Sequence, residues 1–183
     1  MKITIFGLAG VGTSSVGRAV ADNLNYAFKS SGDMFRAKAT ELGLSLNDFE
    51  DKAKKENIFD LELDRMVSEY GRTHDNFVFE SRLAWYFIPD SVKIKLACQF
   101  DERIKRIAGR DNLSIEEAKK QTVSREAAIA ERYKNYYQLS DFSADKNFDV
   151  IIDTTFTSLS KVIEEVTEYL QEIIKKTETE DIV

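Results

Sequence analysis

The chain has 183 residues, 43% hydrophobic and 32% charged, enough for one well-cored domain and too few for two large ones. A net charge of −6 excludes a general footprint for nucleic acid or an anionic membrane, so any basic site must be a local cluster in an acidic protein. The single cysteine, Cys98, excludes an internal disulfide and favours a reducing compartment, and no apolar run approaches the roughly 18 residues of a membrane span. A cytoplasmic protein is expected.

Lys2–Phe6 is a β-branched run of strand length, and from Ser14 onward Val16, Val20 and Leu24 recur at helical spacing. A second strand is predicted over Tyr26–Ser30. Residues 32–71 then read as purely helical, too long for a simple crossover and suited to an inserted lobe. Further strands are predicted at Phe77–Glu80, Lys93–Phe100 and Asp149–Asp153, with Cys98 a packed residue of the second of these. Ser114-Ile-Glu-Glu117 is a capping box opening a long charged helix to about Tyr136. Leu159, Val162, Ile163, Val166, Leu170, Ile173 and Ile174 share one helical face, and Lys175–Val183 is expected to fray. Short apolar strands alternating with helices predict an α/β domain: a parallel sheet of about five strands, helices on both faces and a ligand site beyond the strands' carboxyl ends.

Between the first strand and helix lies Gly7-Leu-Ala-Gly-Val-Gly-Thr-Ser-Ser15, a phosphate-binding loop that keeps the glycines and the serine of G-x-x-x-x-G-K-[ST] but has Thr13 in place of lysine. Gly7, Gly10 and Gly12 let successive amides surround a phosphate at a helix N-terminus, and Ser14 offers a hydroxyl to Mg²⁺. Thr13 supplies no charge. Arg36, after the second strand, and Arg82, after the third, are placed to grip one phosphate between two guanidinium forks. Arg103, Arg106 and Arg110 follow at spacings of three and four, and Arg125 and Arg132 are seven apart. They read either as a solvated helix face or as a mobile lid whose cations replace the missing lysine. Glu80, ending an apolar strand, is the candidate to hold the metal through water. His74, Trp85 and Phe87 receive no role.

Ser31-Gly-Asp-Met-Phe-Arg-Ala37, Asp60-Leu-Glu-Leu-Asp-Arg65, Phe79-Glu-Ser-Arg-Leu-Ala84, Ser124-Arg-Glu-Ala127 with Arg132-Tyr133, and Asp149-Val-Ile-Ile-Asp-Thr154 follow one another along nearly the whole chain. Together they resemble the nucleoside monophosphate kinases, most closely the cytidylate kinases of the archaeal type. In such members Gly-Thr-Thr-Thr commonly replaces Gly-Lys-Thr/Ser, so Gly12-Thr-Ser-Ser15 is similar to a family variant. The resemblance implies a single three-layer α/β/α P-loop NTPase domain over 1–183, with a monophosphate-binding insertion near 32–72 and a helical lid near 109–132. It implies a monomer that phosphorylates CMP or dCMP from ATP with Mg²⁺. Residues 7–15 (Gly7, Leu8, Ala9, Gly10, Val11, Gly12, Thr13, Ser14, Ser15) would hold ATP, and Ser14 and Glu80 the metal. Arg36 and Arg82 would hold the acceptor phosphate, Asp64 and Arg65 the cytosine edge. Thr13, Arg110, Arg125 and Arg132 would be catalytic. Two alternatives stay open: a kinase for another small acceptor, and a nucleotide-binding module without catalysis.

Overall fold

Short runs of alternating apolar residues set the sheet. The computed structural model describes residues 1–45, 48, 49, 52 and 58–180. Its five strands are β1 (Lys2–Gly7), β2 (Ala27–Ser30), β3 (Phe77–Glu80), β4 (Val92–Ala97) and β5 (Val150–Asp153), all parallel in the order β2-β3-β1-β4-β5. β1 is central. Its register pairs Ile5 with Glu80 on one side and Gly7 with Leu96 on the other, so these carboxyl ends lie along one edge.

The period of two along each strand divides the core. On one face Ile3, Ile5, Val78, Ile94, Leu96 and Ile152 pack with Val16, Val20 and Ala21 of α1 (Thr13–Leu24) and with Val162, Val166 and Leu170 of the last helix, Leu159–Glu180. On the other, Phe6 packs with Leu83, Trp85, Ile129 and Phe142, and Phe77 and Phe79 pack with Val67, Ala84 and Ile88. Each such side chain contributes about 1.5–3 kcal/mol on full burial.

The helices between are α2 (Ser31–Glu41), α3 (Ile58–Thr73), α4 (Ala84–Phe87), α5 (Phe100–Asp111) and α6 (Ile115–Tyr137); the last helix is α7. α2 and α3 overlap the stretch read as a helical insertion, and between them residues 46, 47, 50, 51 and 53–57 lie outside the described residues. α6 starts on the predicted capping box, with Ser114 and Glu117 bonding each other's backbone amides.

Strand boundaries otherwise lie within a single residue of expectation, but two boundaries, one of a strand and one of a helix, differ by three residues or more. β4 stops at Ala97, because the Gln99 amide leaves the sheet ladder and donates to Thr155 Oγ1 at 3.0 Å; Phe100 then opens α5 and packs with Ile104. Cys98 therefore lies just past the strand, half-buried against the core. The tail expected to fray is helical through Glu180, and 181–183 lie outside the described residues.

Candidate active site

All five strand ends feed one cleft of about 650 Å³. β1 runs into the glycine loop. Gly10 and Gly12 take φ of +88° and +95°, a region that side chains other than glycine rarely enter, and Gly12 caps α1 without a side-chain bond. The first ladder bond at this end of α1 is donated by the Val16 amide to the Gly12 carbonyl at 3.1 Å. The amides of Thr13, Ser14 and Ser15 thus lack helical acceptors and sit at the positive end of the helix dipole, a ready cradle for phosphate oxygens.

The floor of the cleft is a carboxylate between two hydroxyls. Thr13 Oγ1 donates to Glu80 Oε1 at 3.0 Å and Ser14 Oγ donates to Glu80 Oε2 at 3.1 Å. At position 13 the structure therefore has an uncharged donor bonded to Glu80, which brings no cation to the cleft. Hydroxyl and carboxylate oxygens are hard donors suited to a divalent cation that keeps waters and phosphate oxygens in its shell. No cluster of three or more histidine, cysteine or acidic residues among the described residues offers an all-protein metal cage.

Above that floor stand cations. Arg36, Arg82, Arg106, Arg110 and Arg125 all line the cleft, against Glu80 as the one carboxylate of the lining among the described residues. They differ in how they are held. Arg36 reaches Asp33 at 2.6 Å, and Asp33 also receives Arg18 at 2.9 Å; these contacts, the Arg36 hydrogen bond first, hold the Asp33 carboxyl below its ordinary range. Ser30 caps α2 by accepting the Asp33 amide and so fixes the start of that helix. Arg110 is exposed and paired with Asp111 at 2.7 Å. Arg106 is anchored by the carbonyls of Thr154 and Thr155 at 2.7 and 3.0 Å. Thr154 in turn donates to the Val11 carbonyl at 3.3 Å, tying the end of β5 to the glycine loop.

Arg82 is different. Its backbone is fixed by Trp85, whose indole N–H donates to the Arg82 carbonyl at 3.1 Å, but its enclosed Nε has no hydrogen-bond partner. Burial pulls its guanidinium down from the ordinary value, with Arg125 adding to the effect and Tyr133, Glu80 and Glu126 opposing it. An arginine stays protonated even so, and an anion in the cleft is its natural partner. Arg125 is exposed and makes no ion pair among the described residues.

Several predicted residues lie elsewhere. Leu8 packs into the aromatic cluster under the loop. Arg132 is half-buried on α6, outside the cleft lining. Asp64 accepts a hydrogen bond from the Tyr137 hydroxyl, and Arg65 is exposed on α3; neither lines the cleft. The spacing of Arg103 puts it in one row with Arg106 and Arg110, read as a solvated face or a lid, yet it is 4% exposed and bonded to Glu126 and to the loop carbonyl of Ala9. Spacing reports a shared face. It does not report what covers that face.

Residues 2–156 match the model of the cytidylate kinase-like family. The chain belongs to that family. Among its relatives, the cytidylate kinase of Methanosarcina acetivorans is 38% identical over 158 residues, covering 84% of this chain and 87% of that protein. The cytidylate kinase of Methanocorpusculum labreanum is 33% identical over 179 residues, covering 96% and 99%. Solved structures share the fold at lower identity. Shikimate kinase from Acinetobacter baumannii, in complex with shikimate, superposes with a TM-score of 0.64 at 16% identity, covering 96% of this chain and 93% of its own. An uncharacterised protein from Eubacterium ventriosum gives 0.70 at 15% identity, covering 93% and 98%. The cytidylate kinase-like match therefore spans both the glycine loop and every arginine of the cleft.

Proposed function

We propose that the protein is a phosphotransferase that moves the γ-phosphoryl group of ATP to CMP or dCMP. The observation that carries this reading is the convergence of five arginines on a glycine loop at the carboxyl edge of a parallel sheet, in a chain of net charge −6. Such a cleft selects a ligand with several phosphate charges, and the family's named members are cytidylate kinases.

In this reading the loop amides and α1 hold the ATP phosphates, while Arg36 and Arg82 clamp the acceptor monophosphate. The acceptor oxygen is already anionic, so no strong general base is needed; alignment and charge neutralisation lower the barrier. Arg110 and Arg125, on the α5–α6 lid near 109–132, neutralise charge on the transferring group where Thr13 cannot. Asp64 and Arg65 reach the cytosine edge only through movement of the α2–α3 lobe near 32–72, and Arg132, outside the lining, supports the lid without touching the ligands. Mg²⁺ fits the oxygen set of Ser14 and Glu80, and when bound it screens the phosphate oxygens. We further propose a cytoplasmic monomer acting on nucleotides alone; no helix among the described residues is long and apolar enough to cross a membrane.

The test is transfer from ATP to a panel of CMP, dCMP, UMP, AMP and shikimate. Turnover of CMP or dCMP at least about tenfold above the others in kcat/KM is expected, since a site built to hydrogen-bond one base edge rejects others strongly. Turnover of none of CMP, dCMP and UMP would sink the assignment.

A further inference from the structure

We propose that Arg103 and Glu126 are positioning residues: one ion pair, its arginine buried and its glutamate half-buried, fixes the glycine loop and, through the same contact, holds Arg125 at the cleft before nucleotide arrives. The inference rests on the reading above, in which Arg125 acts on the transferring phosphate.

Arg103 lies in the first turn of α5 and is 4% exposed. Its Nη1 donates to the Ala9 carbonyl of the glycine loop at 3.1 Å and to Glu126 Oε1 at 2.6 Å, while Nη2 donates to Glu126 Oε2 at 3.4 Å. One planar guanidinium thus joins the loop to α6. The backbones meet there too, since a Cβ on Gly10 would stand 2.7 Å from the Arg103 carbonyl oxygen. Loop and α5 are in direct contact, leaving the loop no freedom to collapse in that direction.

Glu126 continues a buried stripe on α6. Ala118, Thr122 and Ile129 are buried, and Glu126 completes their spacing of four, four and three on the face turned inward. Pinning residue 126 by a two-pronged bond fixes the rotation of the helix. Arg125, one residue earlier and about 100° round the axis, is then set at the cleft lining. Apolar side chains would hold the helix as firmly, because a buried ion pair adds little net stability over a well-packed apolar replacement. What the pair adds is direction, which a guanidinium–carboxylate fork supplies and a methyl group does not. The cation that stands in for the loop lysine is in this way tied to the loop itself.

The test is a double-mutant cycle on purified full-length protein, with unfolding midpoints measured throughout. Glu126→Gln keeps the shape of the side chain and removes its charge. It is expected to lower kcat about 10- to 100-fold, the range for a group displaced by about an ångström, with KM for the monophosphate unchanged. In an Arg125→Ala background the same change is expected to have no further effect on kcat, because Glu126 acts through Arg125. A double variant slower by the product of the two single effects, or Glu126→Gln at the wild-type rate, would overturn the proposal. Arg103→Lys provides the second arm: an ammonium keeps the charge but lacks the planar fork that joins Ala9 to both carboxylate oxygens. It should raise KM for ATP about tenfold and leave KM for the monophosphate alone; equal rises in both, with a lowered unfolding midpoint, would mean a structural role only. If wild-type protein turns over no member of the acceptor panel, the functional reading fails separately. Calorimetric ATP affinity of the Arg103 variant then decides the clamp, a tenfold loss supporting it and an unchanged affinity refuting it.

Discussion

Replacing Arg82 by methionine is expected to make the ligand-free protein more stable and the enzyme far worse. The enclosed Nε of Arg82 lacks a partner and its charge is disfavoured by burial and by Arg125. A buried donor left unsatisfied costs about 1–3 kcal/mol, and methionine keeps an unbranched apolar stem while removing that donor. For a chain of this size about 1 kcal/mol shifts Tm by roughly 2–4 °C, so a rise of about 2–12 °C is expected without ligand. The ligand side has the opposite sign. Two hydrogen bonds from a charged fork to a phosphate, at about 1.5–3 kcal/mol each, amount to about 3–6 kcal/mol, or a roughly 10²- to 10⁴-fold loss in kcat/KM for CMP. Thermal unfolding with and without CMP reads both effects, and the wild type alone should be raised in Tm by CMP. A variant less stable than wild type without ligand, or one still stabilised by CMP, would refute the view that Arg82 is strained for an anion.

Gly10→Ala and Gly12→Ala should differ, though both glycines have positive φ: alanine at 10 meets the Arg103 backbone at 2.7 Å, whereas nothing lies within 4 Å at 12. The first should destabilise by at least about 1 kcal/mol more than the second in urea unfolding, and equal losses would show that the contact is not rigid. Thr13→Lys should not rescue a faster rate, because its ammonium enters beside Glu80, which already accepts Thr13 and Ser14. The expected result is a higher Mg²⁺ requirement with kcat no higher than wild type; a tenfold gain in kcat would contradict it. Asp33, Asp75, Asp90, Asp111, Asp141 and Asp153 are all held below their ordinary range, by hydrogen bonds from Arg36, the N-terminal amine, Lys2, Arg110, Ser143 and Thr155 first. Carboxyls whose folded pKa is depressed stabilise above their unfolded value near about 4 and lose that contribution as pH falls through the folded value. The urea midpoint should therefore be level between pH 7 and 5 and fall below about pH 4; a fall already complete at pH 5 would mean that other groups govern acid unfolding.

What was legible in the sequence follows from which forces act locally. Phe77–Glu80 is found as predicted because an apolar run bounded by polar turns has one way to enter a buried parallel sheet. Ser114 and Glu117 mark the start of α6 because a capping box is complete within four residues. The end of β4 was missed because it is decided from afar, by Thr155 taking the Gln99 amide. In the site, the glycine loop, Arg36, Arg82 and Glu80 were readable from their positions after strands, since parallel strands bring their carboxyl ends together. Arg103, Arg106 and Arg110 were readable only as a row. Their partners, Glu126, the Thr154 and Thr155 carbonyls and Asp111, separate them into an anchor, a brace and an exposed cation. The signal that distinguishes Arg103 is Glu126, which by sequence alone is one more acidic residue on a charged helix.

The substitution at position 13 changes where the charge for catalysis is kept. A loop lysine carries its charge on the same segment that binds phosphate, so binding and neutralisation occur together. Here the loop offers amides and hydroxyls, and the cations of the cleft stand on α2, α5, α6 and the segment after β3. On the proposed reading the two tasks are separable: ATP can settle on the loop amides, while transfer waits for arginines carried by other elements. That arrangement would be slow if the elements moved independently, because each cation would have to be ordered in every cycle at an entropic cost. The Ala9–Arg103–Glu126 contact answers this by making α6 part of the loop's own support, and the Val11–Thr154–Arg106 contact does the same for α5. A P-loop without lysine then needs a rigid surround more than a flexible lid: loosening the Arg103 end of the first contact should weaken ATP on the loop, and loosening its Glu126 end should lower the rate by misplacing Arg125.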